Sequence, residues 1–442
     1  MNYPPYNLSN RSRSVIFAVF TAIFLIVAPS LALYTAGYRF NTGSFGLSRI
    51  GVLSVDITPK DATTFLNNKI VGTNLPLRLT NLVPGTYHLR IEKSGFLPFI
   101  KDIVIEQNKT TYIKDLGLFS TSTPEPVEMN DTLNDIFGST DGNYILEKFG
   151  SSDETKFVLF DTTQELTTQI PTPTFTPDTI FWSEKNNLIA LLARTSSVIN
   201  ISVIAANNIE DSTNLTITGA FQDYQWKENF YSENLLLHVD NFLYKVDPKD
   251  DAPEAEDIHT TSSIFFRESN NNDWYFEPAN QTLVHANNKK ENIILPTANI
   301  KKIVDINNNR AIVQTPEGLT IIKRDETKEI KNISTPNFFY DENRKEYIAW
   351  SPWELWTVYQ NGQVTLLNRM SEAIVQVATL DQTGELLVIT ADKLLGFNPG
   401  YYLTQEILSG VNIEKTTVNE KTRTIYFLGT WQGKKGLYKL KY

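Results

Sequence analysis

Tryptophan recurs every third residue in AWSPWELWTVY, as Trp350, Trp353 and Trp356, and Trp431 stands in a later segment. Flat indole faces of this kind stack on sugar rings or on a partner's side chains. The four are therefore candidate partner-binding residues, although sheets also bury large aromatics between them. Acid–base chemistry on a polymer would need two carboxylates about 5 to 10 Å apart in one pocket. Asp223, Asp305 and Asp381 are the residues to test for it. None of the four histidines, His88, His238, His259 and His285, lies at ligand spacing from another, and they read as surface or cross-strand residues. The run DPKDDAPEAED (residues 247–257) lacks the glycine and ligand alternation of a calcium loop and reads as a solvated loop. Gly429-Thr-Trp-Gln-Gly433-Lys434 has three residues between its glycines where a phosphate loop needs four, and reads as a hairpin turn. No Gly-x-Ser-x-Gly elbow occurs, and no cysteine is present to serve as nucleophile, disulfide or thiolate ligand. No catalytic, cofactor-binding or metal-binding residue is assigned.

Lys plus Arg number 40 against 50 Asp plus Glu, a formal charge of −10. With no basic stripe to track phosphates, nucleic acid is not an expected partner. The N-terminus carries an address instead. After Arg11 and Arg13, residues 15–36 (VIFAVFTAIFLIVAPSLALYTA) contain no charge. About twenty such residues span a bilayer core. A transmembrane helix would leave residues 1–14 as a cytoplasmic tail by the positive-inside rule and everything after it outside. A cleaved signal peptide is the competing reading, because Ser30-Leu31-Ala32 resembles a cleavage site.

Past residues 37–50, read as a linker, GVLSVDITP, YHLRIEK, FIKDIVIE and TTYIKDLGLF alternate apolar and polar residues with turn chemistry between them. They describe a small antiparallel β-sandwich over residues 51–119, with Pro84-Gly85 suited to the centre of a type II turn and Gly95 to a similar bend. The order Gly51-x-Leu53-x-Val55, Pro59-Lys60-Asp61-Ala62, Gly72-x-x-x-Pro76, Leu82-x-Pro84-Gly85-x-Tyr87, Lys93-x-Gly95-Phe96 resembles the PEGA domain. Only Pro59 and Ala62 of the signature tetrapeptide remain; Asp61, at its third position, tolerates a left-handed backbone better than most residues. The resemblance implies a surface-associated β module in which these prolines, glycines, Ala62 and Phe96 are structural, acting as a spacer or cell-wall-facing adaptor.

Residues 120–130, STSTPEPVEMN, read as a second linker. From 131 to 442 one pattern keeps returning, a polar turn followed by an apolar triplet. The triplets begin at Tyr144, Ile189, Leu235, Trp274, Ala311, Tyr347, Leu386 and Ile425, 36 to 46 residues apart. Most are followed by a further strand, at Phe157, Ile201, Phe242, Leu283, Leu319, Leu355 and Gly436. A β-repeat of about forty residues is the length of a propeller blade, so seven or eight blades are expected; a pair of β-sandwiches is the alternative. The fold class is thus all-β apart from one N-terminal transmembrane helix, in the layout of membrane-anchored PEGA proteins of bacteria. The expected function is a non-enzymatic, extracytoplasmic binding or scaffold protein whose propeller recognises a protein or cell-surface polysaccharide through loops such as residues 223–228 and 351–354. An extracytoplasmic hydrolase or lyase with a carboxylate site in the propeller funnel is the alternative.

Overall fold

The computed structural model describes residues 10–35, 38–41, 46–150, 155–171, 173–183, 185–228, 233–247, 249, 252–258, 264–268, 272–325 and 328–442. Among these residues the fold is mostly β, with one α-helix at Asn10–Thr35. The helix buries none of its side chains and is long and apolar enough to cross a membrane. Residues 1–9 of the expected tail, with residues 36–37, lie outside the described residues. The stretch expected to be a linker holds a two-stranded hairpin, Tyr38–Asn41 against Gly46–Arg49. The chain divides into two units, Met1–Thr121 and Ser122–Tyr442.

In the first unit two sheets follow the hairpin. Gly51–Thr58 lies between Leu77–Leu82 and Thr110–Gly117, while Lys69–Gly72, Thr63–Leu66, Gly85–Glu92 and Phe99–Ile105 form the second sheet in that order. The first sheet is mixed rather than antiparallel, because Gly51–Thr58 pairs parallel with Thr110–Gly117. Alternation delivers the core: Leu53, Val55 and Ile57 from one sheet and Leu89, Ile91, Phe99, Ile103 and Ile105 from the other are buried. Pro59 to Ala62 form a tight turn closed by the Ala62 amide on the Pro59 carbonyl, with Ala62 fully buried. Asp61 is not in the left-handed region there. Of the two bends expected, at Pro84-Gly85 and at Gly95, only the second is a type II turn. Gly85 has φ 155° and opens a strand. The turn is instead Lys93–Phe96, where Gly95 at φ 82° takes the third position and the Phe96 amide donates to the Lys93 carbonyl.

The second unit is a propeller-like run of eight four-stranded antiparallel sheets, counted among the described residues. Sheets one to eight cover residues 133–169, 179–218, 221–257, 265–294, 302–333, 337–369, 376–409 and 412–441. Every apolar triplet of the sequence repeat lies in the second strand of a sheet, from Tyr144–Phe149 to Thr424–Trp431. That strand has neighbours on both sides and burial on both faces, so it reads as a continuous apolar run; Leu386–Ile389 is buried throughout. The outer strand of sheet one, Leu166–Gln169, is short and exposed, whereas that of sheet two, Asn208–Thr218, runs to 11 residues. Buried clusters join consecutive sheets, for example Leu192 and Ile199 with Leu235 and Leu237, and Ile312 and Ile321 with Ala349 and Val358. Sheets seven and eight meet through the Tyr442 hydroxyl donating to the Leu380 carbonyl and Arg423 facing Asp381 at 3.6 Å.

Sheet eight also packs on sheet one, through Tyr426, Leu428 and Leu437 against Leu133, Ile136 and Ile145. Within the expected linker at residues 120–130, Glu125–Glu128 pairs antiparallel with Lys434–Lys441 and supplies the fourth strand of sheet eight. The fit at the seam is close. A Cβ on Gly142, whose φ is 67°, would lie 1.9 Å from the Val418 carbonyl oxygen. Glu147 is 1% exposed beside the seam, with Oε1 unpaired. Burial, aided by the charge of Glu128, pushes its carboxyl up to about 7. The folded state therefore holds this proton more tightly than the unfolded chain, and stability falls as pH rises from about 4.5 to about 7. At about 1.4 kcal/mol per unit this amounts to roughly 3 kcal/mol. Glu147→Gln is expected to raise the melting temperature by several degrees at pH 8 and to change little at pH 4.5, as read by thermal denaturation at the two pH values.

Candidate functional site

Two recesses concentrate the side chains that could recognise something. The first, of about 580 Å³, lies where sheet five meets sheet six and is lined by Asn332, Ile333 and Ser334 together with Ser351, Trp353, Glu354, Trp356, Arg369 and Met370. A polar turn, Ser351 to Glu354, presents it. Ser351 Oγ accepts from the amides of Trp353 and Glu354 at 3.3 and 3.1 Å, which frees the Trp353 ring to stand 55% exposed. Glu354 and Arg369 pair at 3.1 Å across the strands. The four-tryptophan set does not come together here. Trp353 and Trp356 share this recess, but Trp350 is buried between sheets six and seven, 6.1 Å from Phe339. Trp431 ends a hairpin of sheet eight, where Gln432 and Gly433, both at positive φ, make the two-residue turn expected of that glycine-rich stretch.

The second recess, a cavity of about 740 Å³, is lined largely by first strands of sheets three to six. It takes two of the three candidate carboxylates, Asp223 and Asp305. Residues 223–228 are therefore not a loop; they belong to the strand Phe221–Glu228. In three first strands a register shift falls at the same pattern, Leu133/Asp135, Phe221/Asp223 and Ile303/Asp305. A bulge of this kind re-aims the side chain next to it. Asp135 and Asp223 accept the amide of the following residue, both at 2.9 Å. Burial raises the Asp223 carboxyl above the ordinary carboxylate range, against an opposing pull from Lys302. Asp305 is held by Arg310 at 2.9 Å. Asp381 lies outside the cavity, in a turn of sheet seven where it accepts from the Thr383 amide and hydroxyl.

The residues that the sequence reading missed are on other strands of this cavity. Arg310, 1% exposed, donates to the Val358 carbonyl at 3.3 Å and to that of Tyr359, and stacks over the Tyr347 ring at 5.2 Å. Its position at the head of an otherwise apolar triplet was the available signal. His238 is 2% exposed, 5.5 Å from the Phe265 ring, and burial pushes its imidazole down to about 4 against a pull from Asp240. Neither ring nitrogen closes a hydrogen bond of normal geometry. Two further histidines make cross-strand contacts: His88 pairs with Asp102 at 2.8 Å, and His285 meets Trp274 edge-on at 4.8 Å. His259 lies outside the described residues. The acidic run is not wholly a solvated loop. Its end, Glu254–Asp257, is the outer strand of sheet three, and Glu256 pairs with Arg267, which also holds Asp273. Residues 248, 250 and 251 of that run lie outside the described residues. Among the described residues no cluster has the makings of a metal site.

An all-β chain with one apolar helix and a propeller-like succession of sheets is the class these observations define. Residues 50–116 match the PEGA domain, and the three parts together fit a PEGA-domain protein with a propeller-like unit after it. No curated protein matches the chain. Among solved structures, the chain is similar to the β-propeller domain of Swd1 from Myceliophteria thermophila, at 13% identity and a TM-score of 0.43 over 72% of this chain and 99% of that one. It is also similar to a catalytically inactive virginiamycin B lyase from Staphylococcus aureus with quinupristin, at 11% identity and a TM-score of 0.39 over 72% and 99% of the two chains. A third is BBS1N in complex with ARL6DN, at 11% identity and a TM-score of 0.39 over 72% and 95%. The strand pairing, not these likenesses, carries the description of the fold.

Proposed function

We propose that the chain is a membrane-anchored extracytoplasmic recognition protein. The helix Asn10–Thr35, about 39 Å long at 1.5 Å per residue, is its single-pass anchor, with Arg11 and Arg13 on the cytoplasmic side. The PEGA domain, as a small sandwich, is the spacer or adaptor. The eight sheets are the blades of an eight-bladed propeller whose ring is closed by Glu125–Glu128, and this propeller is the recognition head for a protein or a cell-surface polysaccharide. The exposed Trp353 ring beside Trp356 and the Glu354–Arg369 pair carries this reading, since an unshielded indole at a recess between blades is the kind of residue that anchors an interface.

Binding of the full chain in detergent to cell-surface polymers and membrane extracts tests it. Trp353→Ala is expected to weaken capture by about tenfold or more, the loss typical of an interface anchor. Trp431→Ala, two sheets away, should leave it unchanged. Equal capture by wild type and Trp353→Ala would remove the recess from the account. The second reading, a hydrolase or lyase, draws on the raised Asp223 carboxyl in the same cavity as Asp305. The ion pair of Asp305 with Arg310 opposes it, because a carboxylate held this way is a poor proton carrier. Turnover of a cell-wall polymer by wild type that Asp223→Asn abolishes would favour it.

A further inference from the structure

We propose that the edge strand Glu125–Glu128 of sheet eight is a pH-released latch, paired in acidic surroundings and detaching as the pH rises, with the buried Glu147 as its trigger. This goes beyond the recognition role and does not depend on it. Pro126, Val127 and Glu128 of the strand and Glu147 of the neighbouring sheet one line one cavity of about 310 Å³. Val127 also packs on the apolar seam of sheets one and eight. Glu147 is 1% exposed, and its Oε1 is shut off from solvent with no hydrogen-bond partner. A carboxylate so placed has neither water nor a donor, so its ionisation favours any opening that lets water in.

The other charged groups of the cavity do not relieve it. They are Glu128 on the edge strand, Glu165 on the turn before Leu166–Gln169, and Lys439 on Lys434–Lys441. Lys439 is drawn to Glu165 at 2.6 Å and to Glu125 at 3.7 Å. Of the elements around the cavity the edge strand is the easiest to displace. It has four residues, pairs on one side only, slips register between Pro126 and Glu128, and includes a proline that supplies no amide. Its departure takes the Glu128 charge away from Glu147 and leaves the other three strands of sheet eight paired. The closed seam holds the Glu147 proton up to about pH 7, against an ordinary value of 4.5 once water reaches the carboxyl. Opening therefore becomes about tenfold more favourable per pH unit between those values and levels off above them.

Hydrogen–deuterium exchange of the full chain in detergent micelles, read by mass spectrometry and corrected for the intrinsic pH dependence of amide exchange, tests the latch. From pH 5 to pH 8 the protection of the amides that join Glu125–Glu128 to Lys434–Lys441 is expected to fall about a hundredfold. The outer strand of sheet five, Ile330–Ile333, should keep its protection. Glu147→Gln has no proton to lose and should show equal protection at the two pH values. Glu128→Gln keeps the buried carboxyl and should retain a smaller fall. Equal protection of the wild type at both pH values, a fall that survives in Glu147→Gln, a fall abolished in Glu128→Gln, or a parallel fall at Ile330–Ile333 would each overturn the proposal.

Discussion

Deleting residues 434–442 is expected to abolish cooperative unfolding of the second unit. The strand Lys434–Lys441 is central in sheet eight, paired on one side with Thr424–Trp431 and on the other with Glu125–Glu128. Its removal also leaves Glu125–Glu128 without its partner. Leu437, Tyr438, Leu440 and Tyr442 are all at most 3% exposed. Burying each such side chain contributes about 1.5 to 3 kcal/mol, so the four together are comparable to the 5 to 15 kcal/mol that separates a typical folded domain from its unfolded state. The seam of sheets one and eight would open at the same time, because Leu437 packs there. The first unit has its own buried core. Limited proteolysis should therefore digest the chain beyond residue 121 and spare a PEGA-sized fragment, with the wild type resistant throughout. Retention of the wild-type melting profile would show that sheet eight does not hold the second unit together. Deleting residues 122–129 alone removes only a four-residue edge strand, and a smaller drop of several degrees is expected.

Arg310→Met should destabilise the protein by about 3 kcal/mol, within the range for breaking a buried ion pair from one side. Methionine fills a similar volume, so the loss reports on the polar contacts and not on a cavity. The substitution strands the Asp305 carboxylate, 23% exposed, and removes a donor from the carbonyls of Val358 and Tyr359, of which the second keeps the Gly362 amide at 2.9 Å. It also removes the guanidinium from the Tyr347 ring. Sheets five and six lose their main polar link in one step. Urea denaturation gives the measurement, and a cycle with Asp305→Asn separates the pair from the carbonyl contacts. A coupling of about 1 to 3 kcal/mol is expected. A midpoint for Arg310→Met within error of the wild type would mean that the arginine is dispensable where it is most enclosed.

The repeat was legible because of one local fact. The second strand of every sheet is flanked on both sides, so its residues face protein in both directions and appear in the chain as an apolar triplet, from Tyr144 to Ile425. The PEGA positions were legible for a similar reason: Pro59, Ala62 and Gly95 each satisfy a short-range need, a turn or a buried methyl, within four residues. Of the two expected bends only the one at Gly95 is a type II turn: Pro84-Gly85 and Ser94-Gly95 offer the same turn chemistry, and strand pairing decides between them. The three tryptophans at 350, 353 and 356 share spacing but not surroundings. Three-residue steps carry the chain from a core strand through Trp350, over a turn at Trp353, and back into the sheet at Trp356.

Composition and periodicity by themselves determined the apolar helix, the small β module and the forty-residue β-repeat, since each is written in contacts between near neighbours. Only the tertiary structure decided that residues 125–128 belong to the last sheet and not to a linker, for their partner Lys434–Lys441 lies at the far end of the chain and the short stretch Glu-Pro-Val-Glu gives no local sign of it. The same holds for the cavity. Asp223, His238, Lys302 and Arg310 come from strands of two different sheets, and their burial and pairing are set by how those sheets pack, which no window of the sequence contains.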